Sequence, residues 1–189
     1  IASVSVGGSI PIAQKIYVNG VDMLNLGIQV DGVSQNNRVF HHATANAFDP
    51  GVLKSVRVDP GVAPADAGPR ALAGRVVMET VDVADILEDG ENFGGNVRLS
   101  YADNGKGFGR SLTLANRHNG FEILAYGKVV TGENFEEGDG NEIVGTAADM
   151  NVGLLKLAYE TDDGHRVEFS TQRLTDKELR NRRANFGVA

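Results

Sequence analysis

The residues best equipped to bind something lie between Ser34 and Phe48, where Gln35, Asn36, Asn37, Arg38, His41 and His42 follow in close order. The Arg38 guanidinium can donate two parallel hydrogen bonds to paired oxygens of an anion, and a neutral imidazole can offer a nitrogen to a metal. Adjacent side chains on an extended segment point to opposite sides, so His41 and His42 can share one metal only across a turn. The plainer reading of the pair is one ring packed or hydrogen-bonded and the other solvated. Taken with Asp49, the two histidines also supply the donor types of a metal-dependent hydrolase, which would make the chain a soluble secreted β-protein.

Other groups are weaker. The run Glu133, Glu136, Glu137, Asp139 and Glu142 offers oxygens near Gly140 but lacks the twelve-residue ligand spacing of a calcium loop, and is expected to stay solvated at a loop tip. Asp82, Asp85, Glu88, Asp89 and Glu91 are read the same way, as a solvated hinge. Lys177, Arg180, Arg182 and Arg183 form a basic group suited to phosphates. Gly105-Lys106-Gly107-Phe108-Gly109 has no following helix and no Gly-Lys-Ser/Thr ending, so it is not a phosphate loop. No Gly-x-Ser-x-Gly elbow activates a serine. The sequence therefore proposes no catalytic residue, no resident metal and no cofactor.

Composition narrows the classes further. Among 189 residues there are 24 Gly and no Cys, so the chain turns often and has neither disulfides nor thiolate chemistry. Its net charge of −7 carries no basic stripe interleaved with aromatics, which argues against nucleic acid. A membrane-crossing helix needs about 18 apolar residues in a row, and none exists. Strands of a transmembrane β-barrel alternate lipid-facing and lumen-facing residues, however, and escape such a search. The chain opens at Ile1 without a basic, signal-like segment and closes on Phe186-Gly187-Val188-Ala189, and is read as a fragment cut at both ends.

The elements that would position these groups fall into two textures divided by the acidic stretch Asp82 to Glu91. Before it, Lys15 to Val18, Gly27 to Val30, Val52 to Val58 and Arg75 to Thr80 carry strand composition. Asp31-Gly32 marks a turn, and Asp49-Pro50 reads as an N-cap with Pro at the first helical position. After it come longer candidate strands at Asn96 to Ala102, Arg110 to Arg117, Phe121 to Thr131, Asn151 to Thr161 and His165 to Leu174. They alternate: Val97, Leu99 and Tyr101 against Asn96, Arg98 and Ser100, and Val167 and Phe169 against Arg166, Glu168 and Ser170. Tight turns at His118-Asn119-Gly120 and Asp162-Asp163-Gly164 enclose a long polar loop from Gly132 to Met150, a short-turn, long-loop asymmetry that outer-membrane barrels share.

The ordered set Ile16-Tyr17-Val18-Asn19-Gly20, Ile28-Gln29-Val30-Asp31-Gly32, Asp49-Pro50, Leu53-Lys54-Ser55-Val56-Arg57-Val58, Gly61, Gly68, Ala71-Leu72-Ala73-Gly74 and Val76 to Thr80 resembles the plug domain of TonB-dependent outer-membrane receptors. Phe40-His41-His42, Thr80-Val81-Asp82 and Ala84-Asp85-Ile86-Leu87 resemble the subgroup containing the neisserial ferric-enterobactin receptor, and Tyr101 to Arg173 is similar to that subgroup's first barrel strands. The resemblance implies a mainly β fold. Residues 1–91 would be a small mixed-sheet plug, and 92–189 the first five antiparallel strands of a transmembrane β-barrel of about 22 strands.

It further implies a non-enzymatic outer-membrane receptor for TonB-dependent uptake of a catecholate ferric siderophore or of haem. Gln35, Arg38, His41 and His42 would face the cargo at the plug apex. Outer-membrane lipid and lipopolysaccharide would be partners, as would TonB, whose binding segment is not in this chain. One departure stands out: family plugs usually carry Arg-Gly where this chain has Asn19-Gly20, which removes that Arg's ionic contact with the barrel.

Overall fold

The computed structural model describes residues 2–5, 15–36, 48–63, 65, 67–68 and 71–179. Two compact units divide the described chain, with the break between Thr80 and Val81. The 91/92 boundary that the resemblance implies lies further along the chain. Val83 and Leu87 are buried within the second unit, so the segment after Thr80 is held by the strands that follow it.

The first unit carries two small sheets. Strands β1 (Ala2–Ser5), β2 (Lys15–Val18) and β3 (Val21–Asp22) form an antiparallel sheet in the order β1-β2-β3. Strands β4 (Gly27–Val30), β5 (Val33–Ser34), β6 (Leu53–Pro60) and β7 (Gly74–Thr80) form a second, in the order β5-β4-β7-β6. Only β4 and β7 run parallel in it, which makes this sheet mixed as expected. A short Gly- and Asn-rich grammar joins the strands. Asn19-Gly20 and Asp31-Gly32 both take left-handed conformations, the φ > 0 pair that a two-residue hairpin turn demands.

Asp49 caps a single 3-10 turn at Pro50–Val52: its Oδ1 accepts the Gly51 N–H at 3.2 Å, and Pro50 supplies the preset φ. Gly74 has φ of 124°, and a Cβ there would collide with the Asp59 carbonyl oxygen, so the β6–β7 pairing admits only glycine at its end. Val18, Met23, Leu26, Ile28, Val30, Val76 and Met78 form one buried cluster, lined by Ile16, Val21, Phe48, Leu53, Val58 and Ala73. The core is therefore aliphatic and thin, built from short strands.

The second unit is a five-stranded antiparallel meander: β8 (Phe93–Ala102), β9 (Gly107–His118), β10 (Phe121–Gly132), β11 (Ala148–Glu160) and β12 (Arg166–Asp176). All five coincide with the strands expected from alternation. Their faces invert the rule for a water-soluble sheet. Val97, Leu99, Tyr101, Phe121, Val167 and Phe169 lie on the exposed face at 57–74% exposure, while Thr113, Ala115 and Lys156 are buried on the other. Alternation alone allows either a half-buried sheet or a barrel wall; apolar residues outward is the barrel wall. Among the described residues no helix is long and apolar enough to cross a membrane.

Candidate functional site

Cargo binding was expected around Ser34 to Phe48. Arg38, His41 and His42 lie outside the described residues. Gln35 is described and closes the turn after β5: its backbone N–H donates to the Ile28 carbonyl at 2.8 Å, and its side-chain Nε2 donates to the Val33 carbonyl at 3.1 Å. Gln35 thus sits at the mouth of the segment with its side-chain N–H committed to the backbone.

What fixes this end of the first unit is Asp31. Its two carboxylate oxygens accept the Thr80 backbone N–H at 2.8 Å and the Thr80 hydroxyl at 2.7 Å, and Thr80 is buried. The β4–β5 turn is thereby tied to the end of β7, and the loop starting at Gln35 departs from a fastened base. Asp31 was read only as a turn residue, since nothing in sequence joins it to a Thr so far along the chain. On the opposite edge of the same sheet Asp59 accepts from Arg75 Nε at 2.7 Å, and Arg57 lies 3.4 Å away. The Arg75 hydrogen bond holds the Asp59 carboxyl below the usual carboxylate range, with the charge of Arg57 adding to it and partial burial opposing.

Asp49, the third member of the hydrolase alternative, is buried and spends an oxygen on its cap. A buried cap acceptor is a structural carboxylate. Among the described residues no cluster of His, Asp or Glu has the arrangement of a metal site.

The long loop after β10 is ordered rather than merely solvated. Asn134 is its clasp: the Oδ1 accepts the backbone N–H groups of Thr146 at 2.9 Å and Ala147 at 2.8 Å, and Nδ2 donates to Glu142 at 2.5 Å. Asn104, in the 3-10 turn Asn104–Lys106 between β8 and β9, exchanges two 2.8 Å hydrogen bonds with the Glu136 backbone. Lys106 pairs with Glu133 at 2.7 Å, and that bond holds its ammonium above the usual lysine range. The acidic side chains stay exposed, as expected for a like-charge run, on a frame the asparagines supply.

On the buried face of the meander runs a ladder of charges. Arg117 pairs with Glu122 at 2.8 Å, Glu122 with Arg166 at 2.8 Å, and Arg166 with Glu168 at 3.2 Å. Lys156 lies 3.7 Å from Glu168 and 2.6 Å from Asp82. Asp82 is thus half-buried and bonded, which corrects the reading of that residue as part of a solvated hinge, while Asp85, Glu88, Asp89 and Glu91 are exposed as expected. The hint was Lys156 itself, a cation on the face that carries Val152, Leu154 and Ala158, which requires a carboxylate from elsewhere. Of the basic group beyond β12, Lys177 is exposed, and Arg180, Arg182 and Arg183 lie outside the described residues.

Comparison with known proteins shows what the chain is similar to. Residues 1–75 match the model of the TonB-dependent receptor plug domain. The chain is 38% identical over 187 residues to the heme transporter BhuA of Brucella ovis, covering 99% of this chain and 28% of BhuA. It therefore spans little more than a quarter of that relative's length. Two solved structures share the fold. The hemophore receptor HasR of Serratia marcescens, solved with its hemophore HasA and heme, superposes with a TM-score of 0.81 at 23% identity, over 94% of this chain and 28% of HasR. The FrpB iron transporter of Neisseria meningitidis superposes with a TM-score of 0.77 at 23% identity, over 90% of this chain and 27% of FrpB.

Proposed function

From a TonB-dependent receptor plug domain at residues 1–75, followed by the antiparallel strands that open such receptors, we propose that the whole protein is a transporter that takes up haem across the outer membrane. The TonB-dependent transporters are an outer-membrane family and are not enzymes, which sets aside the hydrolase built on His41, His42 and Asp49. The observation that carries haem as cargo is the 38% identity to a heme transporter over nearly the whole chain. Gln35, Arg38, His41 and His42 are the proposed contacts, one imidazole offering a nitrogen to the iron and Arg38 pairing with the propionates. TonB is the proposed energy-coupling partner. The exposed apolar face of the meander is the proposed lipid face, with lipopolysaccharide at its long-loop end.

A ferric catecholate is the second reading, favoured by the resemblance of Phe40-His41-His42 and Ala84-Asp85-Ile86-Leu87 to the subgroup that holds the neisserial ferric-enterobactin receptor. Growth decides between the two. A deletion strain should regain growth on haem as sole iron source when the full-length receptor is restored, and should lose it again when TonB is absent. Restoration by ferric enterobactin and not by haem overturns the haem reading.

A further inference from the structure

One cation stands by itself on the outer face of the meander. Arg110 is exposed on β9, in register with Leu99 of β8 and Val129 of β10, and Phe108 and Leu112 precede and follow it on that face. The diagonal positions on β8 and β10 carry no charge either. Among the described residues Arg110 makes no hydrogen bond and no ion pair. Both strands beside β9 belong to this chain, so no other strand can lie against it and supply a carboxylate.

A charge on the lipid-facing side of a barrel is costly at mid-depth and nearly free at the border. Arg110 lies eight residues from His118 at a tight turn, about 27 Å along the strand. At a tilt of about 40° that is about 20 Å up an apolar band about 25 Å tall, which sets the guanidinium at the long-loop border. Arg173 shares the outer face on β12, opposite Gly153, and among the described residues it too has no partner. Three strand spacings, about 15 Å, separate β9 from β12. Between the two arginines Gly127 pairs with Gly153, and a Cβ added at Gly127 would meet nothing within 4 Å, so the wall is lowered there. Asp149 is the carboxylate one step nearer the loops on this face, and Lys177 stands across from it, its N–H donating to the Asp149 carbonyl at 3.1 Å.

We propose that Arg110 and Arg173 bind the phosphates of one lipopolysaccharide molecule, at the two ends of its glucosamine disaccharide, with an acyl chain in the depression at Gly127 and Gly153. The inference rests on the outer-membrane reading of these strands and deepens it by naming the residues that hold the lipid. Short turns face the periplasm and long loops the outside in such barrels, which sets both arginines in the outer leaflet. Lipopolysaccharide is the anionic lipid of that leaflet. A guanidinium donates two parallel N–H groups to phosphate oxygens, and Leu99 and Leu112, 66% and 45% exposed, give the acyl chains beside Arg110 an apolar bed.

The test uses the full-length receptor, purified in a neutral detergent and titrated with lipid A or with phosphatidylglycerol, the bound lipid being counted by native mass spectrometry. Lipid A should bind saturably, and Arg110→Gln should weaken it at least about tenfold. Arg173→Gln should weaken it in the same sense. Arg98→Gln removes an arginine from the opposite face of β8 and should bind as the parent does. Gly127→Trp fills the depression without altering a charge and should also weaken lipid A, which keeps the site testable if Arg110→Gln fails to reach the membrane.

Unchanged lipid A affinity in Arg110→Gln, or in Gly127→Trp where that variant stands in for it, overturns the site. An equal loss in Arg98→Gln reduces the binding to unspecific charge and overturns it as well. Equal affinity for phosphatidylglycerol overturns lipopolysaccharide as the occupant. Uptake is scored separately in cells: a receptor that binds lipid A through Arg110 yet takes up neither haem nor any ferric chelate keeps the lipid site and overturns the transporter reading.

Discussion

Asp49 and Asp59 show how differently two carboxylates act in one small unit. Asp49 is a cap, buried and bonded to the Gly51 N–H, so Asp49→Ala strands a backbone donor and should cost the plug about 0.5–2 kcal/mol. A shift of the urea midpoint for proteolysis within residues 48–80 of the full-length receptor measures it, and haem affinity should stay as it was. Loss of haem binding at unchanged plug stability would make Asp49 a ligand contact instead. Asp59 titrates. Its carboxyl is held low chiefly by Arg75, so the folded state binds that proton less readily than the unfolded chain does. The contribution is present above the unfolded-state value and is lost as pH falls through the folded one. Protease resistance of the β6–β7 edge should therefore weaken on acidification through the carboxylate range in the parent receptor. In Asp59→Asn, which removes that carboxylate, the acid-dependent part of that weakening should be smaller. An identical acid profile in the two proteins removes Asp59 from the account.

At the scale of strands, the meander was legible because alternation persists for ten residues or more and Asn119-Gly120 and Asp163-Gly164 punctuate it. Val21–Asp22 and Val33–Ser34 were not read as strands, since two residues carry no period. Nor did alternation say which face turns outward. The register supplies that. On the outer face Tyr101 shares a row with Phe108 and Thr131, whereas the row of Val97, Leu112, Gly127 and Gly153 already ends in Arg173. The last apolar residue of that face on β12 is Phe169, whose row begins at Phe93 on β8, so the apolar border runs obliquely across the strands, as it does where strands tilt in a membrane barrel. A sheet facing water has no cause to draw its border obliquely. Asp82 and Lys156 were missed as a pair because 74 positions separate them. The isolated piece 92–189 should accordingly fail to fold in water: β8 and β12 would both be unpaired edges, and the apolar face would have no cover. A sharp denaturant transition of that piece without detergent would contradict the barrel-wall assignment.

At the scale of the whole molecule, the proposed transporter function turns on where cargo is recognised. Haem and a ferric catecholate are both anionic, and this chain carries a net charge of −7, so approach must be favoured by local cations against the overall field. In the segment after Gln35 the one such cation is Arg38, accompanied by His41 and His42. The two cargoes use these groups differently. Haem iron takes a neutral imidazole nitrogen, so His41→Ala or His42→Ala should shift the visible absorption of the haem complex. A catecholate presents oxygens only, so Arg38→Ala should weaken its binding by about 1.5–3 kcal/mol and leave the spectrum of the complex untouched. Gln35→Ala should matter less in either case, because part of its amide already closes the turn onto Val33. The decisive variant joins Arg38→Ala, His41→Ala and His42→Ala in the full-length receptor. If it binds haem and ferric enterobactin as tightly as the parent, the segment is scaffold and recognition belongs to other parts of the full-length protein. If it loses one cargo and keeps the other, the ligand chemistry of this loop names the substrate.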